Sequence, residues 1–236
     1  MRIDFVTLFP EMVLSTLDVS MTRRAHEDGI VAYRAVSPRD FACDVHRTVD
    51  DTPYGGGPGM LLKVDLIAAA LESLSLPDEA KVLLTDPSGR QFDQASARKL
   101  SHESHVVWVC GHYGGVDDRV RTELCHEAYS IGDYVLTGGE LPALVMTDAV
   151  VRLLPGVLGS PESLDQDAVA SGLIGEPRFT RPETFRNATV PEVLRSGNHA
   201  EIGKWRRSVA LRRTRTERPD LFWRASLEKS DLDLLS

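Results

Sequence analysis

Lys81-Val82-Leu83-Leu84-Thr85 and, some twenty residues on, His105-Val106-Val107-Trp108-Val109-Cys110 are the stretches that decide the fold. Both are short and apolar almost throughout, without the alternation of a half-exposed strand, so each reads as a strand buried on both faces. Between them Asp93 is placed to cap a helix running to Leu100. Strands of this kind alternating with helices predict a mostly parallel sheet with helices on both faces. In such sheets ligands sit beyond the carboxyl ends of the strands.

Working outward, Met1 to Leu8 and Val31 to Val36 read as further strands, and Pro10 in the first turn opens a helix after Phe9. Asp65 to Leu74 reads as an alanine-rich helix, Asp117 to Glu123 as a short one and Leu141 to Leu154 as an apolar one containing Arg152. Glu127 to Ile131 is the strand that feeds the loop Ser130-Ile131-Gly132-Asp133-Tyr134-Val135-Leu136-Thr137-Gly138-Gly139-Glu140-Leu141-Pro142. Thr48 to Met60, with its Pro53-Tyr54-Gly55-Gly56-Gly57-Pro58-Gly59 core, is excluded from helix and strand alike by glycine and proline.

Ten of the 18 glycines lie in the windows 55–59, 111–115 and 132–139, and the last two windows directly follow predicted strands. Glycine so concentrated at strand ends lets backbone approach a ligand. The loop from Ser130 to Pro142 has no lysine or arginine, so it suits a ligand that is not strongly anionic, held by backbone groups, with carboxylates that could tolerate a cation. No P-loop, dinucleotide fingerprint or nucleophile elbow is present.

With 236 residues, 42% hydrophobic and 26% charged, the chain has ordinary globular composition. It has no apolar run approaching the roughly 20 residues of a membrane span. The start Met1-Arg2-Ile3-Asp4-Phe5 lacks the apolar core of a signal peptide, and a cytoplasmic location is expected. Cys43, Cys110 and Cys125 show no metal-finger or disulfide spacing, and Cys110 reads as a small buried hydrophobe. The net charge of −8 divides unevenly: residues 1–172 carry 14 basic and 26 acidic side chains, net −12, and residues 173–236 carry 13 and 9, net +4. The basic tail is a candidate for an anionic partner. Within it Asn198 caps a predicted helix to about Thr216, with Ile202, Trp205 and Val209 on one face and six basic residues elsewhere, and a final helix is expected over Asp220 to Leu235. The segment from Pro155 to Gly175 reads as a loop or linker. The expected organisation is a catalytic domain over 1–159, a flexible linker over 160–172 and a small basic helical domain over 173–236.

Five motifs, Pro53 to Met60, Ser130 to Glu140, Pro155-Gly156-Val157-Leu158-Gly159, Phe179-Thr180-Arg181-Pro182 and Ser196-Gly197-Asn198-His199, closely resemble the bacterial tRNA (guanine-N1)-methyltransferases, SPOUT-class enzymes. They stand in that family's order and cover nearly the whole chain. The resemblance implies a trefoil knot at the C-terminal end of the first domain. It also implies S-adenosylmethionine as methyl donor, guanine 37 of tRNA as acceptor, and a homodimer with active sites at the subunit interface. Carried over by position, cofactor contacts fall on Thr85, Asp86, Pro87, Gly111, Tyr113, Ile131, Gly132, Asp133, Tyr134, Val135, Leu136, Gly138, Gly139 and Pro142. Catalytic roles fall on Asp167 and Arg152, and RNA contacts on His46, Asp50 and Gly59. The chain departs from the family at His112 and Gly114, where Gly-Arg-Tyr-Glu-Gly is usual, and at Gly175, where an aspartate is usual. The carboxylates missing at 114 and 175 are associated with magnesium, which leaves metal dependence open; Glu176 and Asp165 could compensate. A cofactor- and RNA-binding homologue without turnover, or a knotted methyltransferase for another RNA, stay open as alternatives.

Overall fold

The computed structural model describes residues 1–159 and 172–235. The chain divides into two compact units, Met1–Gly159 and Ser160–Ser236. The first is built on a five-stranded sheet in the order β2 (Ala32–Val36), β1 (Arg2–Val6), β6 (His105–Cys110), β5 (Lys81–Gln91), β7 (Glu127–Ser130). Every pairing in it is parallel. The central strand β6 is buried at all six residues, which is why it carries no polar alternation. Val106, Trp108 and Cys110 pack on one side with helices α1 (Pro10–Leu17), α2 (Ser20–Glu27), α4 (Gln94–Leu100) and α5 (Glu140–Val151). Val107 and Val109 pack on the other with α3 (Val64–Glu72) and the π-helical turn Val120–Leu124. Asp4, which breaks the apolar run of β1, is fully buried. His105 Nε2 at 2.9 Å and Arg2 Nε at 3.0 Å satisfy its carboxylate.

Three local features differ from the sequence reading. Strand β5 runs on to Gln91, with its register against β7 shifting between Thr85 and Arg90; the break carries Asp86 and Pro87 out of the ladder while Gly89 packs on the Ala128–Tyr129 backbone. The segment Thr48 to Met60 is not wholly irregular, because β3 (Asp50–Asp51) pairs antiparallel with β4 (Leu61–Leu62) and closes its mouth. The short helix expected from Asp117 is the π-turn beginning at Val120.

The second unit holds a small hairpin, β8 (Thr184–Phe185) with β9 (Ala188–Thr189), and helices α6 (His199–Glu217), α7 (Pro219–Phe222) and α8 (Lys229–Leu235). Asn198 caps α6 by accepting from Glu201 N at 3.3 Å. Its buried face is Ala210, Leu211 and Thr214, whereas Ile202, Trp205 and Val209 are only half-buried. Thr214 Oγ1 donates to Ala210 O and accepts from Ile174 N, so the polar group is satisfied inside. The expected final helix is two, α7 and α8. Arg207 and the backbone N–H of Glu228 converge on the Asp231 carboxylate, which fixes the start of α8.

Candidate active site

The carboxyl ends of β5, β6 and β7 open into one cavity of about 380 Å³, within the range of small-molecule sites. Its walls are Thr85, Asp86 and Pro87 at the register break within β5, Gly111 to Val116 after β6, and Tyr129 to Gly132 with Tyr134 to Gly139 at and beyond the end of β7, closed by Pro142 on α5. No lysine or arginine among the described residues lines it. Two loops are stitched together at its centre: Gly139 N donates to Gly111 O at 2.8 Å, and His112 bridges Gly138 in antiparallel fashion. The contact requires glycine, since a Cβ at Gly139 would overlap Thr85 Oγ1 and lie 2.9 Å from both Cys110 Cα and Gly111 N.

A third loop hangs from the same rim. Gly114 N donates to Met60 O at 2.8 Å, Leu62 N to Gly115 O at 3.0 Å and Asp117 N to Leu62 O at 3.1 Å. A Cβ at Gly114 would sit 2.9 Å from Met60 O, so the glycine that departs from the usual motif also allows this close approach. Gly59, at φ 92°, has Gly114 Cα as its nearest neighbour, 4.0 Å from where its Cβ would be. His46 and Asp50 lie at the other end of this segment. Asp44 holds that end in a tight turn, accepting from His46 N and Thr48 N at 2.9 Å each, and these backbone bonds, led by Thr48, hold its carboxyl below the usual range.

The cavity thus gathers thirteen of the fourteen residues expected around a cofactor. The exception is Asp133, exposed and off the wall. Glu140, a carboxylate of the same loop, is buried, 3% exposed, and accepts from Thr7 Oγ1 at 2.7 Å. Thr7 stands at the end of β1, 133 residues away, so the pairing could not be read locally. Asp86 is the one carboxylate among the described residues on the wall, its Oδ1 accepting from Ser88 N and Oγ. Cys110 is buried as expected, and burial pushes its thiol up, with the Glu140 charge adding to the effect.

His112, noted in the sequence only as a departure, lines the cavity. Its ring is edge-on between Phe9 at 5.1 Å and Tyr113 at 5.0 Å, and its buried Nδ1 has no hydrogen-bond partner among the described residues. Its place inside a glycine window at a strand end was the available signal. Arg152 caps the end of α5, its N–H donating to Asp148 O at 3.1 Å. Asp167 and Asp165 lie outside the described residues.

In the second unit much of the positive charge of α6 is engaged. Arg207 makes two 2.7 Å bonds to Asp231, Arg213 reaches Glu217 and Gly175 O, Arg206 lies 3.6 Å from Glu176 and Lys204 bonds Glu201 at 3.0 Å.

The family model described as tRNA (Guanine-1)-methyltransferase TrmD matches residues 1–224. Among curated relatives, a tRNA (guanine-N(1)-)-methyltransferase of Geobacter metallireducens is 52% identical over 98% of this chain and 95% of its own length. One of Moorella thermoacetica is 50% identical over 98% of this chain and 94% of its own. One of Staphylococcus aureus is 48% identical over all of this chain and 96% of its own.

Proposed function

The chain belongs to the tRNA (guanine-1)-methyltransferase family and is an enzyme of that kind, and we propose that it methylates N1 of guanine 37 of tRNA, beside the anticodon, with S-adenosylmethionine as donor. The observation that carries this reading is the convergence of the three loops on one cavity that no lysine or arginine among the described residues lines. That lining suits a cationic sulfonium, and the glycine contacts at 138 and 139 leave backbone within reach of a ligand. Thr85 to Pro87, Gly111, Tyr113, Ile131, Gly132, Tyr134 to Leu136, Gly138, Gly139 and Pro142 would hold the cofactor. When bound, it supplies an electrophilic methyl group.

Guanine N1 carries a proton and no free lone pair, so a base must take that proton as the methyl arrives, while negative charge grows on O6. We assign the base to Asp167 and stabilisation of O6 to Arg152. His46, Asp50 and Gly59 would meet the RNA; that reading is supported by Gly59 lying against Gly114 at the cavity rim.

The described residues do not form a magnesium site. Positions 114 and 175 are glycine, Glu176 is beside Arg206, and among the described residues no group of three His, Cys, Asp or Glu side chains could hold an ion. No step is assigned to it.

The proposed enzyme is a homodimer whose loops form the trefoil knot of its family. Supporting the first, Leu141 and Val145, one turn apart on α5, are 49% and 53% exposed, and Phe9 and Met12 at the start of α1, a helix packed beside α5, are 44% and 40% exposed. Apolar side chains grouped so at the surface mark an interface. Supporting the second, the loops after β6 and β7 are bonded to each other. No helix among the described residues is long and apolar enough to cross a membrane. Replacing guanine 37 of the acceptor tRNA by adenine tests the assignment: methyl transfer is lost if it is right and continues elsewhere on the tRNA if it is wrong.

A further inference from the structure

The whole exposed segment from Arg178 to Thr189 in the second unit carries three arginines against one carboxylate, with Phe179 and Phe185 between them. At its far end the β8–β9 hairpin turns at Arg186, held at φ 55°, a left-handed conformation that side chains disfavour. The turn sets the Arg186 guanidinium 5.2 Å from the Phe185 ring centroid, a cation–π distance, while Phe185 stays 64% exposed. An exposed aromatic face backed by a cation suits an unpaired nucleobase, whose π-face stacks on the ring while its phosphate meets the guanidinium. Arg206, Arg207 and Arg213 of α6 are engaged with acids of the same unit and Arg212 reaches Leu234 O; Arg186 has no carboxylate partner among the described residues.

Resting on the reading that the substrate is tRNA, we propose that the Phe185–Arg186 hairpin tip is a stacking contact for single-stranded nucleotides of that tRNA, and that it, more than the long basic helix, makes the second unit's RNA contact. Local chemistry favours RNA over a second copy of the chain, because the flanking charge is positive and the apolar area is one ring. The contact lies in an exposed hairpin outside both apolar clusters of the sheet unit, so substitutions there spare the fold.

The test uses the full chain with Phe185→Ala, Phe185→Leu, Phe185→Trp and Arg186→Ala, measuring affinity for unmodified tRNA across a salt series alongside S-adenosylmethionine affinity and unfolding temperature. Phe185→Ala and Phe185→Leu should weaken tRNA binding about ten-fold and Phe185→Trp should keep it. Arg186→Ala should weaken binding and lower the slope of log affinity against log salt by about one. Cofactor affinity and unfolding temperature should not move. Parental affinity and slope in the Ala variants would overturn the proposal, as would equal losses in the Leu and Trp variants or a change in oligomeric state in place of RNA affinity. If the parent methylates tRNA while the variants behave as the parent does, this inference alone falls; if the parent neither binds nor methylates tRNA, the functional reading falls and takes it along.

Discussion

Gly139 lies so close to Thr85 that a Cβ on it would overlap Thr85 Oγ1, which locks the start of α5 against the ends of β5 and β6. Gly139→Ala should therefore force the loops apart, costing about 1–3 kcal/mol of stability and weakening S-adenosylmethionine binding at least ten-fold. Calorimetric titration and thermal unfolding check both; parental cofactor affinity would show that this contact does not shape the cavity. Gly159, with nothing among the described residues near its Cβ position, serves as the neutral control.

Gly203 stands within α6, exposed, with open space where a Cβ would go. Gly203→Ala should stabilise the second unit by about 0.5–1 kcal/mol, because the helix no longer has to order a glycine. A denaturant midpoint at or below the parent's would contradict this.

Val145 and Leu141 are the centre of the proposed dimer face. Val145→Glu would place a charge in a desolvated apolar patch, so sedimentation should show monomers and methyl transfer should drop with dimer content. A dimer of parental affinity would place the interface elsewhere.

Asp231 accepts two bonds from Arg207 and one from Glu228 N, and these, the Arg207 bonds first, hold its carboxyl below the usual range. A carboxyl depressed in the folded state adds stability above its unfolded pKa of about 3.9, and that stability is lost as pH falls through the folded value. Asp231→Asn should cost about 1–2 kcal/mol near neutral pH, a modest figure because the Arg207 side chain is 35% exposed. The difference from the parent should shrink below about pH 4; a difference constant down to pH 2 would assign the loss to packing.

What the sequence disclosed follows from range. Strand β6 was legible because burial on both faces leaves one kind of pattern, and the helix starts at Asp93 and Asn198 because capping is local: Asp93 accepts from Ser96 N at 2.8 Å. The glycine windows 111–115 and 132–139 announced the cavity because the carboxyl ends of parallel strands lie along one edge of their sheet; the window 55–59 is not on its wall. The burial of Glu140 was not legible because its partner Thr7 is distant in sequence, and charge counting could not reveal that Arg207 of α6 closes on Asp231 or Arg206 on Glu176. The strand Asp50–Asp51 exists only through Leu61–Leu62, and the start of α8 is held by Arg207, some twenty residues before it, so neither could be seen in its own residues.

The most direct test of the account is incubation of the chain with methyl-labelled S-adenosylmethionine and unmodified tRNA bearing guanine at 37, followed by mapping of the methylated nucleotide and run beside Asp167→Asn. The account predicts methyl on N1 of guanine 37 for the parent, and for Asp167→Asn a loss of transfer with cofactor binding retained. Methyl on another atom or nucleotide, or no transfer by the parent at high enzyme concentration, would contradict it.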